Sequence, residues 1–193
     1  MKKSTLILIG VIAVIVIYVI FAYNGLVSKQ EQLRSKWSQV ETQYQRRSDL
    51  IPNLVATVKG YAKHESNTLR EVMEARSKAT QININPDKLD AESIAQYNKA
   101  QGELSQALGR LLIITENYPD LKASEQFTSL QAELSGCENR ISVARDRYND
   151  AAKKYNISRR RFPNNLFASA FGFSEVAYFK ADEGSEKAPK VSF

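Results

Sequence analysis

ASEQFTSLQAELSGCENRISVARDRYNDAAKKY, residues 123–155, places Ala123, Phe127, Leu130, Leu134, Cys137, Ile141, Ala144, Tyr148, Ala151 and Tyr155 at alternating steps of four and three without a miss. An apolar seam of period 3.5 belongs to a long helix packed lengthwise against other helices. A seam of this kind needs partners, and the preceding sequence supplies them.

Tyr118-Pro119-Asp120 breaks the chain just before this helix, because the residue preceding a proline is pushed out of the helical region. Upstream, Leu89, Ile94, Tyr97, Leu104, Leu108, Leu111 and Leu112 mark a third helix over roughly Lys88 to Asn117. Asn83-Ile84-Asn85-Pro86-Asp87 is a turn by residue chemistry. A second helix is expected to start at an Asp49 cap with Pro52 in its first turn. Its apolar side runs through Leu54, Val58, Tyr61 or Ala62, Leu69, Val72 or Met73, Arg76 and Ala79 to an end near Ile82. Leu26, Leu33, Trp37, Val40 and Tyr44 form the stripe of a first helix. Long helices joined by short turns predict an all-α fold, an antiparallel up-down-up-down four-helix bundle over residues 24–180.

The first helix reaches further back. Leu6 to Ala22 is an uncharged and almost wholly apolar run, and Ser4 to Tyr23 has the roughly 20 residues that span a bilayer. A cleaved signal would need small residues around Ala22, where Phe21 and Tyr23 stand instead, so residues 1–23 are read as an uncleaved transmembrane anchor. Tyr18, Phe21 and Tyr23 suit an interfacial aromatic belt. Lys2 and Lys3 precede the run while Lys29, Arg34 and Lys36 follow it, so flanking charge sets no orientation. Residues 181–193 are polar without periodicity and are expected to be a mobile tail.

Composition narrows the function. A net charge of +6 is a mild excess that suits an anionic membrane surface, and no nucleic-acid-binding module accompanies it. The single histidine, His64, rules out a di-iron bundle built on paired Glu-x-x-His motifs. No zinc spacing, glycine-rich phosphate loop or nucleophile elbow occurs, so no cofactor is expected. The single cysteine, Cys137, lies on the seam and reads as a small buried residue, as Trp37 reads as core. His64-Glu65 is half of an acid–base pair at most, and reads more simply as a polar pair on a helix surface.

Arg46-Arg47-Ser48-Asp49-Leu50-Ile51-Pro52-Asn53-Leu54-Val55, with Val58-Lys59-Gly60-Tyr61 and His64-Glu65 after it, resembles the LemA family. Tyr23 to Val27, Glu116 to Ala123, Glu138 to Ile141, Ala144-Arg145, Tyr148-Asn149, Tyr155-Asn156 and Phe162-Pro163 agree with it in order. The resemblance implies a single-pass bacterial membrane protein with a helical domain and an unsettled molecular function. The reading that follows is a non-enzymatic interaction or scaffold protein of the inner membrane, with protein partners in the envelope. An accessory to a membrane protease or other envelope enzyme is the alternative, since family members are often encoded near such proteins. The family's usual description puts the domain in the cytoplasm.

Two groups of residues are candidates for function. Arg46, Arg47, Asp49 and Asn53 are expected at the first helix junction, and Glu116, Tyr118 and Asp120 at the next junction on the same end. They would form an arginine–carboxylate cluster that either fixes the turns or makes a recognition surface. At the other end, a stalk from Asn24 to Arg47 extends about 36 Å, while the returning helices are about 50 Å long and reach back to the lipid. That places Arg159, Arg160 and Arg161 at headgroups. Phe162, Leu166, Phe167, Phe171 and Phe173 would then lie in the interface or fold into the base of the core. The seam is either buried within one chain or used for self-association.

Overall fold

The computed structural model describes residues 3–180, and the expected tail at 181–193 lies outside them. The described residues are helical without a strand: α1 (Lys3–Tyr61), α2 (Ser66–Gln81), α3 (Ala91–Thr115), α4 (Pro119–Lys122) and α5 (Glu125–Arg160), then a 3-10 turn at Asn164–Leu166. After further turns at 167–172, a strap outside any helix or strand runs over residues 173–180. α1 lies along α5, and α2 lies along α3 and on α1.

The expected helix junction at Asp49–Pro52 does not exist. α1 runs through Pro52 for 59 residues, about 88 Å. A proline in a helix interior leaves the carbonyl four residues earlier without its donor. That carbonyl belongs to Ser48, and Arg76 of α2 supplies the missing bond, its Nε donating to Ser48 O at 2.8 Å. Asp49, free of any capping role, accepts from Gln45 one turn earlier. The true turn is at 62–65, where the apolar seam misses a step between Ala62 and Leu69. The second helix is therefore short, at 16 residues.

The other boundaries follow their caps. Asp90 accepts from Ser93 N to start α3, Pro119 opens α4, and Ser124 accepts from Phe127 N to start α5. The 82–90 connection is a turn in which Asn85 Oδ1 accepts from Asp87 N. Along α5 the seam is buried except that Leu130 is half-exposed and Ala152 replaces Ala151.

The core falls into two clusters. One gathers Leu26, Leu33, Trp37, Val40 and Tyr44 of α1 against Ile141, Ala144, Tyr148, Ala152 and Tyr155 of α5, closed by Phe173, Val176 and Phe179 of the strap. The other gathers Ile51, Leu54 and Val58 with Leu69, Val72, Leu104, Leu108, Leu111, Leu121, Phe127 and Leu134. α1 is also long and apolar enough at its start to cross a membrane, and none of that stretch is buried in the protein.

Candidate functional site

Arg47 lies between the two clusters, only 1% exposed. Its Nη1 donates to Ser105 Oγ and Glu138 Oε1, both at 2.8 Å, and its Nη2 donates to Gln101 Oε1 at 2.6 Å and Gln101 O at 3.2 Å. The Tyr44 ring lies under the guanidinium at 5.1 Å. A buried charge is costly unless paired and hydrogen-bonded, and arginine's planar fork lets one side chain meet α3 and α5 at once. Glu138 stays half-exposed, which keeps the carboxylate's own desolvation small. The layer of Arg47, Gln101, Ser105 and Glu138 thereby sets the register of α1, α3 and α5.

A cleft of about 250 Å³ opens beside this layer, lined by Glu41, Tyr44, Ser48, Thr80, Tyr97 and Gln101 among others. Burial pushes the Glu41 carboxyl up, with Trp37 acting against it, and burial likewise pushes the Tyr97 phenol up. These groups offer hydrogen-bonding hydroxyls, amides and a carboxyl, with the Ser48 hydroxyl engaged by no base. Among the described residues, no three His, Cys, Asp or Glu side chains converge as a metal site would require.

The seven residues expected to cluster are not gathered. Arg46, Asp49, Asn53, Glu116 and Asp120 are exposed, and Arg47 is turned to Glu138 instead of Glu116. Tyr118 alone reaches the turn after α1, donating to Glu65 Oε1 at 2.9 Å, a bond that pushes its phenol up. The reason is the displaced junction: Arg47 sits about 21 Å along α1 from Tyr61. His64 is exposed in that same turn, while Glu65 is engaged by Tyr118. Gln101, Ser105 and Arg76 are the partners sequence reasoning missed. Arg76 had a visible signal, a basic residue on an apolar stripe 24 positions after a proline that would orphan a carbonyl.

The end nearest the apolar run is organised by a repeated Tyr-Asn pair on α5. Tyr155 donates to Ser174 O at 2.9 Å, and Asn156 exchanges two bonds with the backbone of Val176, at 2.9 and 3.2 Å. Seven residues earlier, Tyr148 donates to Ala177 O at 3.0 Å and Asn149 exchanges two bonds with Phe179, at 3.1 and 2.9 Å. Seven helical residues rise about 10.5 Å and three extended residues about 10 Å, so the second pair meets the strap in the same register as the first. The strap's Val176 and Phe179 are thereby set into the core, with Phe179 stacked on Trp37 at 5.9 Å.

The basic and aromatic residues before the strap divide into two sets. Arg159 turns inward, donating to Phe173 O at 2.8 Å, while Arg160 and Arg161 are exposed. Phe173 is buried and Phe167 half-buried, whereas Phe162, Leu166 and Phe171 are 75%, 70% and 48% exposed. Cys137 is buried on the seam, its thiol 3.8 Å from Gln43 O.

A model described as the LemA family matches residues 36–193. Magnetosome protein MamQ 2 of Paramagnetospirillum magneticum is 27% identical over 194 residues, covering 91% of this chain and 71% of that protein. Magnetosome protein MamQ of Magnetospirillum gryphiswaldense is 29% identical over 175 residues, covering 81% of this chain and 64% of its own length. Protein LemA of Metamycoplasma hominis is 26% identical over 184 residues, covering 94% of this chain and 80% of that protein.

Proposed function

The chain belongs to the LemA family, and from that premise we propose that it is a non-enzymatic interaction scaffold standing on the bacterial inner membrane, with other envelope proteins as its partners. The observation that carries this reading is α1, one unbroken helix whose apolar start continues into the core without a joint. Tyr61 stands about 57 Å along the helix from Tyr23, so the helical domain, read as an up-down-up-down bundle with a short second member, holds its far end at a fixed height. The charged groove between α2 and α3, lined by Glu71, Glu74, Lys78, Glu103 and Arg110, offers paired charges of both signs to a partner at that height.

Photocrosslinkers at Glu71 and Glu103 in cells test it. The expected outcome is a reproducible protein partner, a second copy of the chain included, whose capture is lost when a six-residue Gly-Ser linker is inserted after Tyr23. Capture of nothing at either position, or capture indifferent to the linker, overturns the scaffold reading.

A further inference from the structure

The apolar run and the loop after α5 overlap in height. A hydrocarbon core of about 30 Å takes about 20 helical residues, which here run from Ser4 to Tyr23. The domain, however, begins to touch this helix at Tyr18, whose phenol donates to Asn164 Oδ1 at 3.1 Å. The Tyr23 ring meets the edges of Phe171 and Phe173 at 5.4 and 5.5 Å. Lys3 to Tyr18 is only about 22 Å of helix, so about 8 Å of the span is shared with residues 162–173.

We propose that residues 162–171 are a second membrane element, inserted beside the anchor into the leaflet on the domain's side. Phe162, Leu166 and Phe171 are exposed large apolar side chains of a loop in which Phe167 is half-buried and Ala168 is buried, with Phe173 buried just after it. The loop is held in shape by Asn164, whose Nδ2 donates to Ser158 O and whose carbonyl accepts from Ala168 N. Insertion of 5–10 Å is the depth at which interfacial apolar segments lie, and the shared 8 Å falls within it. Exposed Arg160 and Arg161 precede the loop, so the headgroups it meets are anionic.

This inference rests on reading α1 as a membrane span, and the test separates the two. The full chain with Cys137→Ala is labelled with an environment-sensitive fluorophore at Leu166→Cys, Ile12→Cys or Val143→Cys and reconstituted into phosphatidylcholine bilayers containing phosphatidylglycerol. The label at 166 is expected to emit blue-shifted light, resist aqueous iodide, and be quenched at least twofold more than the label at 143 by lipids spin-labelled near the headgroup. Ile12 is expected to be quenched most by lipids labelled deep in the chain. If 166 behaves like 143 while 12 reads deep, the loop proposal falls and the anchor stands; if 12 also reads aqueous, both fall. Equal quenching at 166 without phosphatidylglycerol overturns the anionic preference. Phe162→Cys gives a second loop position should the first variant fold poorly.

Discussion

Between the apolar run and Arg47 the core sets seven rings among its aliphatic side chains, whereas beyond Arg47 it is built of aliphatic side chains with one buried phenylalanine. In the first half Trp37 has Tyr97 and Tyr148 edge-on at 5.3 and 5.6 Å and Phe179 stacked on it. In the second half Leu54, Leu104, Leu108, Leu111 and Leu121 pack with Phe127 and carry no polar tips. The difference has a cause in connectivity. The aliphatic half is closed by helices alone, α1 to α5 all contributing, but the ringed half is closed by a strap with no helical bonds of its own, so its backbone polar groups need partners. Tyrosine and asparagine on α5 provide them while burying their apolar parts.

The layer between the halves is where the comparison breaks most easily. Arg47→Ala leaves the buried Gln101 without its partner and the space of the guanidinium empty, and is expected to cost about 2–4 kcal/mol in chemical unfolding, with both halves affected. Replacing the pair together, Arg47→Met with Glu138→Leu, should recover most of that loss; equal loss in the double variant would mean that the layer contributes more than pairing. Phe179→Ala acts on one half alone. It is expected to cost about 3 kcal/mol and to raise amide exchange along 141–156 while 104–111 stays protected. Uniform exchange would show that the two clusters unfold as one unit.

A smaller effect separates the two ways α1 can tolerate its proline. Arg76→Met leaves the Ser48 carbonyl without its donor and should cost about 1–2 kcal/mol. With Pro52→Ala in the background, the restored N–H takes that carbonyl and the Arg76→Met penalty should shrink, a coupling read from the double-mutant cycle. The smallest effect is electrostatic. Because burial raises the Glu41 carboxyl above its usual 4.5, the folded state binds protons more readily than the unfolded chain, and stability falls as pH rises through that window. Glu41→Gln should therefore raise the melting midpoint slightly at pH 7 and leave it unchanged below pH 4.

Much of this was legible in the residues. The seam at Phe127, Leu134, Cys137, Ile141 and Tyr148 marked α5, the turn around Asn85 and the break at Tyr118-Pro119 fell where residue chemistry put them, and the first stripe continued from the apolar run. The candidate site was less legible, because a proline at position 52 reads locally as a helix start. Moving the junction there drew Arg47 toward Glu116, which it does not meet.

Sequence by itself determined the helices, their apolar faces and an anchor-length run at the start, because those depend on spacing along one chain. Tertiary structure alone decided that Pro52 stays helical, that Arg47 is shared by three helices, and that the Tyr-Asn pairs hold a strap. Each of these depends on a polar group finding its partner 19 or more residues away, and in Arg47's case 91 residues away. Periodicity records which side of a helix is buried; it does not record which distant donor will satisfy a given carbonyl.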